Sequence, residues 1–142
     1  MQKISSINAI QVFDSRGVPT ISCKVSLQDG ISASAMVPSG ASTGSKEALE
    51  LRDNDISYHG KSVTKAVNNI NNVLSSLVIG KNPNNQKEID ELLISFDDTE
   101  DKSKVGANAI LAISLATAHV AAKANKVSLY KPVSYTHLTL PT

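Results

Sequence analysis

Residues 4–37 read ISSINAIQVFDSRGVPTISCKVSLQDGISASAMV, and the fold follows from how this stretch divides. Residues 4–29 alternate apolar with polar and are rich in Ile, Val and Thr, the pattern of half-buried strands. ISSINAIQVF and TISCKVSL are therefore read as two strands. Between them, Asp14, Ser15, Gly17 and Pro19 carry turn chemistry. Gln28–Gly30 makes a second turn, and ISASAMV, residues 31–37, a third strand. Successive strands with short links predict an antiparallel meander.

Past residue 45 the period lengthens. KEALELRD is read as a short helix, with Ser45 as its N-cap and Glu47 in its first turn. Residues 61–82 place Val63, Ala66, Val67, Ile70, Val73, Leu74, Leu77 and Val78 at helical spacing, and Gly80 stops the run. NNQKEIDELLISF forms a further helix with Ile89, Leu92, Leu93 and Phe96 inward. The last helix runs from Gly106 to about Asn125 and is apolar nearly all round, which marks it as buried. In a chain this small, part of that helix is expected to pack against another domain or subunit. The predicted class is α+β: a three-stranded antiparallel meander followed by a helical bundle.

The 142 residues suit one domain of ordinary size. Hydrophobic residues at 41% and charged residues at 19% describe a soluble globular protein. Fourteen basic against 13 acidic residues leave a formal net charge of +1, so no long-range field draws nucleic acid or an anionic membrane. Trp is absent and aromatics are 4%, which argues against base-stacking platforms. No stretch approaches the ~20 apolar residues of a membrane span, and the N-terminal residues make no signal peptide. Cys23, the single cysteine, cannot form an internal disulfide; it is read as a small apolar filler in a strand. The expected compartment is the cytoplasm.

Between the third strand and the next run lies VPSGASTGSKE, residues 37–47. It is not a phosphate-binding P-loop. The second glycine comes one residue early, Ser45 precedes Lys46, and Glu47 stands where a Ser or Thr is required. Gly40 and Gly44 can act as hinges, and Ser39, Ser42 and Thr43 supply hydroxyls. Such a run serves either as a lid over an anionic substrate or as a plain connector. DDTEDK, residues 97–102, lacks the glycine and closing Glu of a calcium loop and reads as a solvated acidic turn. His59, His119 and His137 match no metal-ligand spacing. Asp14 and Arg16 are read as a turn-capping ion pair.

FDSRG with the following PT, VPSGASTG, EALELRDND, GKSVTKAV and DKSKVGANAILAISLA together resemble the N-terminal domain of the enolases, the phosphopyruvate hydratases of glycolysis. The blocks occur in the family's order and spacing from about Lys3 to Lys131. The resemblance implies a small α+β domain set against a larger barrel, and reversible dehydration of 2-phosphoglycerate to phosphoenolpyruvate. In that scheme a lysine removes the carbon-bound proton, Mg2+ ions stabilise the intermediate, and a glutamate assists departure of hydroxide. It further implies that Ser39, Gly40, Ala41, Ser42, Thr43 and Gly44 form the lid, and that Ser42 helps bind the second Mg2+. The barrel that carries the catalytic lysine and the metal carboxylates is not in this chain, so the isolated chain is expected to be an inactive fragment.

Four departures stand out. Val18 replaces the usual Asn, Ser22 an acidic residue of the dimer contact, Asp98 a Gly and Val105 a Phe. Asp tolerates left-handed geometry better than most residues, so the turn is expected to survive the change at Asp98. The resemblance implies a homodimer for the full-length protein, and family members also occur at cell surfaces or secreted. Residues 1–131 are taken as the domain; 132–142, PVSYTHLTLPT, match nothing in the family and are expected to be non-native. A non-catalytic module that binds other proteins is the alternative reading.

Overall fold

The computed structural model describes residues 2–39 and 47–129. Strands β1 (Ile4–Phe13), β2 (Pro19–Leu27) and β3 (Ser32–Met36) form one antiparallel sheet in the order β1-β2-β3, the meander predicted above. On β2, Ile21, Cys23, Val25 and Leu27 are buried while Lys24 points to solvent, the period-two pattern of a sheet with one covered face. On β1 the buried residues are Ile4, Ile7 and Ala9. The three-residue step from Ile4 to Ile7 breaks simple alternation. A register shift between Ile4 and Ser6 absorbs the extra residue and keeps both isoleucines inward.

The helices follow as α1 (Thr64–Asn69), a π-helical turn (Ile70–Leu74), α2 (Ser75–Val78), α3 (Gln86–Phe96) and α4 (Ala107–Asn125). The first three run end to end over 64–78, matching the helical spacing read from the sequence. Val63, Ala66, Ile70, Leu74 and Val78 are buried, Val67 and Leu77 partly so, and Val73 is exposed rather than inward. The wide turn brings Asn71 against β1: Ala9 N donates to Asn71 Oδ1 (2.8 Å) and Asn71 Nδ2 donates to Ala9 O (3.0 Å). At that residue the side-chain amide takes the place of a neighbouring strand and satisfies the β1 edge.

α4 corrects one expectation. It is 19 residues long and, at a mean hydropathy of 1.3, long and apolar enough to cross a bilayer, contrary to the sequence reading. This chain nevertheless supplies most of its cover. β2 and β3 pack on one side, α1 and α3 on others, and Ala109, Ala112, Ile113, Ala116 and Val120 join the main core. Alanine makes this possible, because small side chains let sheet and helices approach one buried helix from several directions. The uncovered remainder is narrow: Leu111 is exposed beside Ile94 of α3.

Cys23 lies in the sheet's buried face, and burial pushes its thiol up to about 12. The native chain is expected to leave a thiol-reactive dye unreacted and to titrate one thiol on unfolding; rapid labelling of the folded chain would contradict this packing.

Candidate functional site

The segment after the small-residue run is not helical. Glu47–Asp53 is irregular or extended, which corrects the predicted KEALELRD helix over its described part. Its backbone groups are taken by distant partners. Leu49 N donates to Asp101 O (2.7 Å), and Ala107 N donates to Leu49 O (2.7 Å). Asn108 grips Leu51, two residues on, from both sides: Leu51 N donates to Asn108 Oδ1 (3.0 Å), and Asn108 Nδ2 donates to Leu51 O (3.1 Å). Asp53 N donates to Ser62 O (2.8 Å). Local helix propensity is weak beside such a set of bonds.

Two buried carboxylates organise the surroundings. Asp53, 6% exposed, accepts from the backbone N–H groups of Thr64 (3.1 Å) and Lys65 (2.9 Å) and from the Thr64 hydroxyl, capping α1 from outside the helix. Burial pushes its carboxyl up, but these hydrogen bonds outweigh it and hold the group below its ordinary value. Asp53→Ala is expected to destabilise the domain by about 1–2 kcal/mol, the usual loss of a capping carboxylate. Denaturant unfolding measures it; an unchanged midpoint would contradict the assignment.

Asp97 closes the 97–105 turn by accepting from Val105 N (2.8 Å), Thr99 N (3.2 Å) and the Thr99 hydroxyl. Lys102 Nζ donates to the carbonyls of Asp97 (3.0 Å) and Thr99 (2.9 Å). The turn is closed as expected, and its left-handed non-glycine residue is Lys102, at φ 60°. Here the acidic run serves as an internal staple.

The stem of the small-residue run is described as far as Ser39, which is half-buried. Thr20 Oγ1 donates to Val37 O (2.9 Å), and Arg16 Nη2 donates to Ser39 O (3.3 Å). The Asp14–Arg16 pair predicted in the turn is present at 3.1 Å. Asp14 Oδ1 also accepts from Arg16 N (2.8 Å) and Val18 N (3.0 Å). The Val18 N–H, joined by the Arg16 contacts, holds the Asp14 carboxyl below its ordinary value. With Asp14 N donating to Val18 O (2.9 Å), the turn closes through its backbone.

Beside Ser39 lies a polar cleft of about 390 Å³, walled by Arg16, Glu50, Arg52, His59 and Lys61 among others. Arg52 is committed to the scaffold: Nη1 donates to Pro19 O and Lys61 O (2.7 Å), and Nη2 pairs with Glu50 (3.1 Å). His59 is exposed on this wall at φ 55°, and His119 is half-buried on α4.

Of the predicted lid residues, Ser39 alone is described. Gly40, Ala41, Ser42, Thr43 and Gly44 lie outside the described residues, as do Ser45, Lys46, His137 and the 132–142 tail. Among the described residues no group of three or more His, Cys, Asp or Glu side chains could hold a metal ion. A hard dication such as Mg2+ takes near-octahedral oxygen coordination, and the described residues do not fit that need by themselves.

The comparisons with known proteins agree with this architecture. The profile of the family described as "Enolase, N-terminal domain" matches residues 4–133. The enolase of Mycoplasma genitalium is 54% identical over 133 residues, covering 93% of this chain and 29% of that protein. The enolase of Mycoplasma pneumoniae is 55% identical over 130 residues, and that of Mycoplasmoides gallisepticum 52% identical over 132 residues; the chain covers 28% of each. It therefore spans less than a third of the length of these relatives. The profile match over residues 4–133 and relatives more than half identical, with a three-stranded antiparallel sheet and helices consistent with them, place this protein in the enolase family, as its N-terminal domain.

Proposed function

We propose that this chain is the part of a glycolytic enolase that supplies the lid for the reversible dehydration of 2-phosphoglycerate. The observation that carries the reading is the fixed stem at Val37–Ser39. Thr20 and Arg16 anchor it on one side, and a polar, cation-walled cleft opens beside it. A loop that closes over a phosphorylated acid needs such a rigid base, so that closure excludes water without disturbing the sheet. In this reading Ser39, Gly40, Ala41, Ser42, Thr43 and Gly44 make the lid, and Ser42 is the position of this chain that contributes an oxygen ligand to Mg2+. The remaining ligands and the proton-abstracting lysine belong to the barrel of the complete enzyme, so this chain binds and encloses substrate but does not itself carry out proton transfer.

We place the enzyme in the cytoplasm and read it as a homodimer. Ser22, which stands where the family's dimer contact has an acid, lies between Ile10 and Met36 in a row across the sheet, both about half exposed. An apolar row there would replace a charged contact.

The test is an enolase assay on two proteins: the 142-residue chain, and its residues 1–129 fused ahead of the remaining part of the Mycoplasma genitalium relative. The expected result is no phosphoenolpyruvate from the chain alone and ready turnover by the fusion. Turnover by the chain alone, or a folded fusion that is inactive, would overturn the reading.

A further inference from the structure

β2, β3, α1 and α3 cover most of the apolar helix α4. They leave open a groove of about 340 Å³ between α3 and α4. Its apolar lining includes Ile94, Ile110 and Leu111, with Ile94 48% and Leu111 39% exposed. Its polar lining is bonded within the domain. Ser114 Oγ donates to Asp90 Oδ1 (2.6 Å), which also accepts from Gln86 Nε2 (2.9 Å). The Lys102 ammonium sits on the carbonyls of Asp97 and Thr99. Such a groove offers a visitor apolar contact rather than a charge partner.

The position of the groove narrows what that visitor is. Ala107, at one end of it, donates its N–H to Leu49 O (2.7 Å), and the next residue, Asn108, holds Leu51. The groove therefore begins where the segment that follows the small-residue run is latched to α4. A body that meets the domain along that segment comes alongside Leu111, one turn further on. The enolases of Mycoplasma genitalium and Mycoplasmoides gallisepticum contain such a body, since this chain covers only 29% and 28% of their length. A second copy of this chain has a different apolar surface to use, Ile10 and Met36 on the sheet face that points away from the helices.

We propose that the groove between α3 and α4 is the docking surface for the part of the full-length enzyme that this chain does not contain. An apolar side chain of that part sits between Ile94 and Leu111. This rests on the enolase reading above. Covering two half-exposed aliphatic side chains is favourable, and a dry apolar centre is where binding energy concentrates. A contact so close to the latch at Leu49 and Leu51 also fixes the orientation of one part of the enzyme on the other.

Thiol labelling tests it. Cys23 is buried, with its thiol pushed up to about 12, so the native chain contributes little background. Rates are referred to Val73→Cys, at an exposed position on the π-helical turn. Leu111→Cys should label readily in the 142-residue chain and about ten-fold or more slowly in the fusion protein, with the modified site located by peptide mapping. Ile94→Cys should show the same contrast and serves if the first variant does not fold. Equally fast labelling in the chain and in the folded fusion would overturn the proposal. Slow labelling in the chain alone would also overturn it, because the chain would then cover its own groove. Protection of the fusion that is lost on dilution would do the same, marking a second copy as the occupant. A folded but inactive fusion would instead sink the enolase reading, and the labelling contrast would still judge the groove.

Discussion

Gly106→Ala is expected to destabilise the domain by about 2–6 kcal/mol, enough to unfold a marginally stable domain of this size. Gly106 sits at φ 95°, ψ 133°, a backbone conformation that residues with a Cβ rarely adopt. The strain there is worth about 1–3 kcal/mol. Space is the second cost. An added Cβ would lie 2.6 Å from Leu51 Cβ and 2.6 Å from Asn108 Oδ1. Neither neighbour can move cheaply, because Asn108 binds both polar groups of the Leu51 backbone. Relieving the clash means opening the latch that ties residues 49–51 to the start of α4; overpacking of this kind costs about 1–3 kcal/mol. Equilibrium denaturation of the alanine variant measures the sum. A loss under about 0.5 kcal/mol, the range of an ordinary surface change, would mean that the latch is not as tight as described.

Asp97→Ala is expected to cost about 3 kcal/mol, since it leaves the buried N–H of Val105 and the Thr99 donors without their acceptor. The same carboxylate predicts an acid dependence. Burial raises its proton affinity, but the bonds from Thr99 and Val105 and the nearby Lys102 ammonium lower it further, so the folded value falls below 3.8. The folded state therefore binds the proton more weakly than the unfolded state. Stability from Asp97 is fully present above the unfolded value and declines as pH falls below about 3.8 through the folded value. Asp53 and Asp14 shift in the same direction and act in the same window. Unfolding midpoints measured between pH 7 and pH 2.5 should fall most steeply at the acid end, and less steeply in Asp97→Ala. A flat profile, or an equal slope in the variant, would contradict the assignment.

The sheet was legible because its causes are local. Alternation along residues 4–27, with Asp14, Gly17, Asp29 and Gly30 between strands, specifies a meander without reference to the rest of the chain. Helices with a strong apolar period, 64–78 and Gln86–Phe96, were equally readable. What failed was set by distant partners. Residues 47–53 have the composition of a helix, but Asp101, Ala107, Asn108 and Ser62 claim their backbone groups. The roles of Asp53 and Asp97 could not be read from charge, since a buried cap and a solvated acid look alike in one dimension. That Lys102 takes the left-handed position in the acidic turn, its ammonium holding the turn's carbonyls, was likewise not legible in one dimension. For the site, the words SGASTG named a loop, whereas the grip of Arg16 on Ser39 needed coordinates.

The account stands on the claim that the run beginning at Ser39 closes over a phosphorylated acid. The most direct measurement is amide hydrogen exchange across residues 37–47 of the fusion protein, with and without 2-phosphoglycerate and Mg2+. Exchange should slow markedly in this segment when both are present, and change little along β1. Equal exchange rates with and without the two ligands, in a fusion that binds them, would contradict it.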